Sequence, residues 1–300
     1  MKVPYFGRLL TAMVTPMYAD GGVNYQAAAD LADYLLSNGS DGLVVAGSTG
    51  ESATLSDEEK LRLFAVVAEK AKGRGAVVGG TGSNDTEKSA ALTEKAKDTG
   101  VDGVMLVGPY YNKPTQEGFY RHFRKIAEST DLPVILYNVP GRTASNILPE
   151  TIARLAADVR NIVAIKEAAG NIEQAAQLRK LLPADFTIYS GDDGMTLPML
   201  AVGGNGVISV AGHVTGVKMQ EMMSAFAAGD VKRAASLHIE LLDFFRAIFI
   251  TTNPIPIKTI TSIVSKIDCG PLRLPLTEIT AGDREKLIAV YNKLNATSFC

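Results

Sequence analysis

Short apolar runs alternate with longer amphipathic segments through residues 1–225 of this chain of 300 residues. The runs are rich in Val, Ile and Leu and are bounded by glycine or polar residues, which is typical of strands buried on both faces of a parallel sheet. Eight such strands are predicted, at residues 9–15, 42–47, 76–80, 103–108, 133–138, 162–166, 186–191 and 206–210.

The segments between these runs have the period of amphipathic helices, and the clearest is SDEEKLRLFAVVAEKAKG at residues 56–73. Ser56 is predicted to be its N-cap, with Glu59 as the capping-box partner. Gly73 is expected to end the helix. The predicted apolar stripe consists of Leu61, Phe64, Val67, Ala68 and Ala71. Further helices are predicted at residues 25–37, 86–97, 115–129, 149–157, 172–182 and 195–202.

Eight strand-and-helix units over this length predict an α/β protein, a (β/α)8 TIM barrel with right-handed crossovers. A doubly wound open sheet is the alternative, but the GxGxxG pattern usual after its first strand is missing. The last 75 residues, 226–300, show helical patterns such as DREKLIAVYNKL and no convincing strand. We therefore expect a barrel catalytic domain at residues 1–225 and a C-terminal helical region at residues 226–300 that packs against it.

Composition and charge favour a protein that acts on small molecules. The chain is 46% hydrophobic and 21% charged, with a formal net charge of -2 and acids and bases interspersed, so neither nucleic acid nor an anionic membrane is an expected partner. Cys269 and Cys300 are too few for a disulfide framework. No signal peptide and no stretch of about 18 apolar residues is evident, and a cytoplasmic location is expected.

Lys166 stands at the end of the sixth predicted strand, IVAIK, where barrel enzymes carry their active-site residues. It is either a solvated lysine at a strand exit or a Schiff-base nucleophile. An amine with the usual pKa near 10.4 is neutral in only about one molecule in 2,500 at pH 7. A dry barrel mouth that lowered the pKa to about 8 would remove most of this handicap.

The fifth predicted strand ends in YNVPGRT, which brings Tyr137 and Arg142 to the same mouth. Tyr137 is either a core aromatic or a general acid and base that moves protons during imine formation. Arg142 is either a surface charge or a fork that binds a carboxylate.

Two further strand ends carry polar groups. The second ends in GSTGES, where Gly47 lets backbone N–H groups approach a ligand and Ser48 and Thr49 supply hydroxyls, although a generic glycine-rich turn has the same pattern. The fourth ends in GPYYNKP, which places Tyr110 and Tyr111 on the same face of the barrel. Two adjacent tyrosines in such a loop are most often packing or interface residues.

No metal and no cofactor is expected. The acids of SGDDG at residues 190–194 are best explained as an N-cap and first-turn acids. His122, His213 and His238 lie in different segments without ligand spacing. The glycine-rich AVGGNG before the eighth strand could bind a phosphate, but a plain tight turn is favoured, since no basic residue accompanies it.

Taken together, the motifs resemble those of the Schiff-base pyruvate aldolases and, among them, of the dihydrodipicolinate synthase family. The resemblance covers nearly the whole chain, and its motifs occur in family order: GSTGESATL, GPYYNKP, LYNVPGRT, IKEAAG, SGDD, GGNGVISV, NPIPIK and LRLPL.

This resemblance implies that Lys166 forms an imine with pyruvate and that the enamine attacks L-aspartate 4-semialdehyde, with no metal or cofactor. Tyr137 would relay protons with Ser48 and with Tyr111, the last supplied by a neighbouring subunit of a homotetramer, a dimer of dimers. The substrate-binding set implied for this chain is Gly47, Thr49, Arg142 and Ile208.

Two departures from the family pattern bear on function. The family often has GTTGE where this chain has GSTGE, a variant shared with sialic acid aldolases, but those enzymes generally lack an arginine at the place of Arg142. A sialic acid or 2-keto-3-deoxy sugar acid lyase and a keto-acid-binding barrel without catalysis remain as alternatives.

The second departure concerns feedback by lysine. In many family members lysine binds at positions that match Ser52, Ala53, Asn84 and Tyr110, often beside a histidine and a glutamate. Here Lys60 and Lys88 take the places of the histidine and the glutamate. Because Lys88 adds a like charge where an acid would bind the ligand's ammonium, inhibition by lysine is predicted to be weak or absent.

Overall fold

Eight parallel strands close into a barrel, as a computed structural model of the chain shows for residues 5–296; Cys300 lies outside the described residues. Each strand pairs with the next, and the last pairs with the first. The (β/α)8 prediction is therefore confirmed, and the open sheet is excluded. The strands are β1 (Leu9–Ala12), β2 (Gly42–Val45), β3 (Ala76–Gly80), β4 (Gly103–Val107), β5 (Val134–Asn138), β6 (Ile162–Glu167), β7 (Thr187–Ser190) and β8 (Gly206–Ser209).

The first strand is shorter than predicted, because the chain leaves the sheet after Ala12. Thr15, which was expected to belong to this strand, instead donates its hydroxyl to the Gly50 carbonyl at 2.7 Å. Pro16 follows and has no N–H for a sheet hydrogen bond.

Helices connect the strands and continue beyond the barrel. The predicted capping box is present, since Ser56 Oγ accepts from Glu59 N–H and Glu59 Oε2 accepts from Ser56 N–H. In the same helix Leu63 is fully buried, whereas the predicted Leu61 is only partly buried. The helices are α1 (Tyr25–Ser37), α2 (Asp57–Ala71), α3 (Thr86–Ala96), α4 (Gln116–Ala127), α5 (Pro140–Thr143), α6 (Pro149–Asp158), α7 (Ile172–Leu181), α8 (Thr196–Ala201), α9 (Gly212–Ala227), α10 (Val231–Ala247), α11 (Ile255–Ser265) and α12 (Ala281–Ala296).

The strands bury both of their faces. One apolar layer lies between the strands and the helices, and a second fills the barrel interior. At the amino-terminal ends of the strands, Tyr189 Oη accepts from Phe6 N–H and donates to the Gly7 carbonyl. The segment before β1 therefore lies against that end of the barrel, opposite the carboxyl-terminal end that carries the candidate site residues. The interior layer includes Leu10, Val44, Val78, Met105, Ile135, Tyr137 and Ile208.

The C-terminal helices pack on the barrel as expected, and α10 lies against both α9 and α12. Lys258 of α11 forms an ion pair of 2.8 Å with Glu51 in the loop after β2, and the two side chains are 2% and 1% exposed. The division at residue 225 remains a prediction; helix α9 runs across it. Within residues 5–296, no helix is both long and apolar enough to span a bilayer.

Candidate active site

The amine of Lys166 and the phenol of Tyr137 lie side by side at the carboxyl-terminal end of the barrel. The two residues are register partners on the adjacent strands β6 and β5. Lys166 Nζ is 4.4 Å from the centroid of the Tyr137 ring, and each residue is only 5% exposed. The apolar strand that precedes Lys166 therefore places its amine inside the mouth of the barrel, away from bulk water.

This burial changes the acid–base properties of both groups. Burial lowers the pKa of Lys166 to about 8, against the raising influence of Asp193, and the nearby Arg142 lowers it further. Burial raises the pKa of Tyr137 to about 12, while Arg142 and a hydrogen bond with Ser48 oppose the rise. At pH 7 roughly one Lys166 amine in ten is neutral, and the phenol keeps its proton.

The loop after β2 lies against these groups. Its backbone is left-handed at Ala46 (φ +52°) and at Glu51 (φ +58°), which turns the loop back over the strand end. A Cβ on Gly50 would lie 3.0 Å from the Met13 carbonyl, so glycine permits the close approach. Thr49 is buried, and its Oγ1 accepts a hydrogen bond of 3.0 Å from Asn253 Nδ2.

Arg142 lies on the short helix α5, which begins with a proline directly after β5 and Val139. One guanidinium nitrogen, Nη2, donates to the Asn253 carbonyl at 3.1 Å. The other N–H groups of the fork have no hydrogen bond to the part of the chain described here, so they are available to an anion. Ile208 of β8 is fully buried in the barrel interior, in the same apolar layer as Tyr137.

The two tyrosines of the β4–α4 loop are not part of this buried group. Tyr111 is 92% exposed and has a left-handed backbone with φ +73°. Tyr110 is partly exposed, and its carbonyl accepts from Asn84 Nδ2 at 3.1 Å. A single copy of the chain thus brings Tyr137 and Ser48 together but leaves Tyr111 in solvent.

A cavity of about 670 Å³ opens beside the site. A second one of about 30 Å³, lined by Gly47, Ser48 and Tyr137, borders it and shares Ser48 and Ser52 with it. Burial lowers the pKa of Lys60, which lines the large cavity. The predicted pyruvate-binding and lysine-binding groups thus adjoin. The predicted effector residues that line the large cavity are Ser52, Ala53, Asn84, Lys88 and Tyr110.

Two residues of the site went unrecognised in the sequence. Asp193 was interpreted only as a first-turn acid, yet it is buried close enough to Lys166 to raise the amine's pKa, and its carboxylate accepts from the N–H groups of Val210 and Ala211. Its position three residues after the end of β7 was an available signal. Asn253 belongs to the motif NPIPIK, far from any strand end, and local pattern offered no signal for it.

Both ring nitrogens of His213 lie within hydrogen-bond distance of the main chain. His213 is buried, its Nε2 accepts from Val14 N–H at 3.1 Å, and its Nδ1 lies 2.8 Å from the Val210 carbonyl oxygen. Within the described range, 5–296, no group of three or more His, Cys, Asp or Glu side chains is arranged to hold a metal ion.

The fold and the site are those of a (β/α)8-barrel protein with a desolvated lysine at the barrel mouth, an arrangement typical of Schiff-base enzymes. Comparison with known sequences identifies the family within this class of proteins. The chain belongs to the dihydrodipicolinate synthetase family, whose model matches residues 5–294.

Known relatives cover almost the whole chain. A 4-hydroxy-tetrahydrodipicolinate synthase of Desulforamulus reducens is 55% identical over 295 residues, 98% of this chain and 99% of the relative. One from Desulforudis audaxviator is 57% identical over 282 residues, 94% of this chain and 95% of the relative.

Solved structures of the family superpose closely. A dihydrodipicolinate synthase from Cyanidioschyzon merolae, described with lysine bound, is 46% identical with a TM-score of 0.96, over 97% of this chain and 99% of that chain. One from Bacillus anthracis is 47% identical with a TM-score of 0.94 over the same shares.

Proposed function

We propose that this protein condenses pyruvate with L-aspartate 4-semialdehyde to give 4-hydroxy-tetrahydrodipicolinate, the step that opens the diaminopimelate route to lysine. The curated relatives above carry the name of this activity at 55% and 57% identity. The observation that carries the mechanism is the buried amine of Lys166, whose pKa is lowered to about 8.

The first half-reaction makes an imine. The neutral Lys166 amine adds to the keto carbon of pyruvate, and the resulting carbinolamine loses water as Tyr137 donates a proton to the departing oxygen. Tyr137 suits this role because its raised pKa keeps the phenol protonated. Ser48, hydrogen-bonded to Tyr137, is the next member of the proton relay, and Thr49 and the amides that follow Gly47 bind the pyruvate carboxylate.

The second half-reaction makes the carbon–carbon bond. The protonated imine withdraws electrons from the methyl carbon, which loses a proton and becomes an enamine. That carbon attacks the aldehyde carbon of the second substrate, and the aldehyde oxygen takes up a proton to become the 4-hydroxyl. The substrate's own amino group then attacks the imine carbon, closes a six-membered ring and displaces Lys166, so the enzyme returns to its starting state.

Arg142 binds the carboxylate of the aldehyde substrate. Arg142 lines the cavity, and the Asn253 carbonyl accepts from one of its guanidinium nitrogens. A planar fork of N–H donors matches a carboxylate with two hydrogen bonds. Ile208 gives the pyruvate methyl group an apolar contact.

The active assembly is a homotetramer in the cytoplasm, in which Tyr111 of one copy completes the relay of another. This part of the proposal is supported by the exposure of Tyr111, which is 92%, since an aromatic at the rim of a barrel mouth suits an interface. Light scattering should give the mass of four chains, and Tyr111→Phe should lower turnover without changing that mass.

Borohydride trapping tests the proposed reaction. Pyruvate plus borohydride should add about 72 Da, the mass of a reduced pyruvate imine, to the peptide that contains Lys166. Lys166→Met should not be labelled, whereas Lys180→Met, which removes an exposed lysine, should be labelled like the parent. Labelling elsewhere, or no labelling of the parent, would contradict the proposal. Turnover of a sugar acid in place of aspartate semialdehyde would identify a sibling aldolase.

A further inference from the structure

Asn253 contacts both of the groups that bind substrate carboxylates in the proposed reaction. Its side-chain Nδ2 donates to Thr49 Oγ1 at 3.0 Å, and its main-chain carbonyl accepts from Arg142 Nη2 at 3.1 Å. The residue is 4% exposed and lines the large cavity. A residue of the C-terminal region, outside the eight strand-and-helix units, thus reaches the centre of the site.

The hydrogen bond to Thr49 determines what the threonine hydroxyl can do. A hydroxyl has one proton to donate and lone pairs with which to accept. Because Thr49 Oγ1 accepts from Asn253 Nδ2, its single proton is not used in that contact and is free for an anion. We propose that Asn253 is a positioning residue that makes Thr49 a hydrogen-bond donor to the carboxylate of pyruvate. The inference rests on the proposed function, since it takes Thr49 as a pyruvate ligand.

The segments that carry Asn253 and Thr49 are joined by further contacts nearby. Asn253 lies two residues before α11. Lys258, one turn into that helix, forms the buried ion pair with Glu51, which is two residues beyond Thr49. Lys258 Nζ also donates to the Pro271 carbonyl at 2.6 Å, and Arg273 N–H donates to Glu51 Oε2 at 2.9 Å. The threonine loop and the asparagine segment are therefore joined by charge-assisted hydrogen bonds, which are stronger than neutral ones.

The orientation of the Asn253 amide is the critical feature. Within the part of the chain that the structure covers, its Oδ1 is buried and has no hydrogen-bond partner. With the amide turned round, Oδ1 would accept the Thr49 proton and withdraw it from the ligand. Asn253→Asp imposes that second arrangement, because a carboxylate has the same shape and only accepts.

A double-mutant cycle on pyruvate binding tests the inference. The measured quantity is the pyruvate concentration that half-saturates borohydride labelling of Lys166, in the parent, Thr49→Val, Asn253→Ala and the double variant. If Asn253 acts through the threonine hydroxyl, each single change should raise this concentration about tenfold, in keeping with one lost hydrogen bond to a charged group. The double variant should lie within twofold of Thr49→Val. Effects that multiply in the double variant would overturn the inference.

Asn253→Asp provides the second measurement and decides the matter should the alanine variant fail to fold. It should raise the half-saturating pyruvate concentration at least as much as Asn253→Ala, and parent-like binding would overturn the inference. The KM for the aldehyde should stay within twofold in Asn253→Ala, because Arg142 bonds to the main chain. Asn295→Ala, at an exposed asparagine of the same region, is the matched control. A parent that is not labelled refutes the proposed function, whereas a labelled parent with multiplicative effects refutes only the role of Asn253.

Discussion

Lys166 lies opposite Tyr137 across the β5–β6 pair, with its amine 4.4 Å from the centroid of the phenol ring. Burial acts on the two groups in opposite directions, because it disfavours the charged form of each. It lowers the pKa of the amine and raises that of the phenol. A partly neutral amine therefore stands beside a protonated phenol, which is the pair that the proposed imine formation requires.

The pH dependence of pyruvate capture should report the Lys166 amine. The neutral form reacts, and it predominates above the pKa of about 8. The kcat/KM for pyruvate should therefore rise roughly tenfold per pH unit below pH 8 and level off above it. Steady-state kinetics from pH 6 to 9.5 would measure this limb, and a flat profile would speak against Lys166 as the nucleophile.

Asp193→Asn should move that limb to lower pH. The Asp193 carboxylate raises the pKa of Lys166, and its own pKa is about 6, so it is ionised where the amine titrates. Removing the negative charge removes the group that favours the protonated amine. Steady-state kinetics of the variant over the same pH range would give its kcat/KM profile for pyruvate. A rise that moves to higher pH would contradict the proposed effect of Asp193 on the pKa of Lys166.

Arg142→Met should weaken binding of the aldehyde substrate far more than that of pyruvate. The loss of charge-assisted hydrogen bonds to a carboxylate corresponds to a KM increase of roughly 10- to 100-fold for L-aspartate 4-semialdehyde. Borohydride labelling with pyruvate should persist. Arg160→Met, at an exposed arginine outside the site, is the control, and an unchanged aldehyde KM in Arg142→Met would exclude the proposed contact.

Lys258→Met should destabilise the fold by about 3–5 kcal/mol, because it leaves the buried Glu51 carboxylate without its cation. The double variant Glu51→Gln, Lys258→Met should recover part of that loss, since no uncompensated charge remains. Urea unfolding would measure both. Lys286→Met, at an exposed lysine on α12, should lower the free energy of unfolding by less than 1 kcal/mol. An equally small loss in Lys258→Met would refute a stabilising role for the buried ion pair.

Lysine should inhibit the enzyme weakly or not at all, and Lys88→Glu should make the inhibition stronger. The cavity carries Lys60 and Lys88, and a cationic ligand meets like charge there, which an acid at position 88 would replace by attraction. The half-inhibitory lysine concentration should fall about tenfold in the variant. Lys95→Glu, on the exposed face of the same helix, should have no effect. Strong inhibition of the parent would contradict the prediction.

His213 should make stability depend on pH on the acid side. Burial lowers its pKa to about 4, from the usual 6.5. Between these values the unfolded chain binds a proton that the folded chain does not, so stability is lost as pH falls. His213→Gln lacks this loss, and the stability advantage of the parent should shrink by roughly 3 kcal/mol between pH 7 and pH 4. Free energies of unfolding from urea titrations that change with pH by the same amount in the parent and in His213→Gln would contradict this.

Several elements could be predicted from short stretches of the chain. The bounds of α1 and β3 agree with the sequence patterns, and the capping box of α2 is present. These features depend on hydrophobic period and on capping residues within a few positions, and both can be read locally. The predicted end of β1 at Thr15 was wrong: the strand ends at Ala12, and the Thr15 hydroxyl donates to the carbonyl of Gly50, which is distant in the sequence.

The candidate site likewise has features that the sequence could predict and features that only the tertiary structure decides. Local pattern predicted the barrel and the positions of Lys166, Tyr137 and Arg142 at its mouth, because parallel strands bring their carboxyl ends to one face; the roles of these three residues stay predictions. The contact of Asn253 with Thr49, the proximity of Asp193 to Lys166 and the burial that shifts the pKa of the amine joined residues remote in sequence. Only the packing of the closed barrel and its C-terminal helices decided these, because desolvation and hydrogen-bond direction depend on what surrounds a group in space.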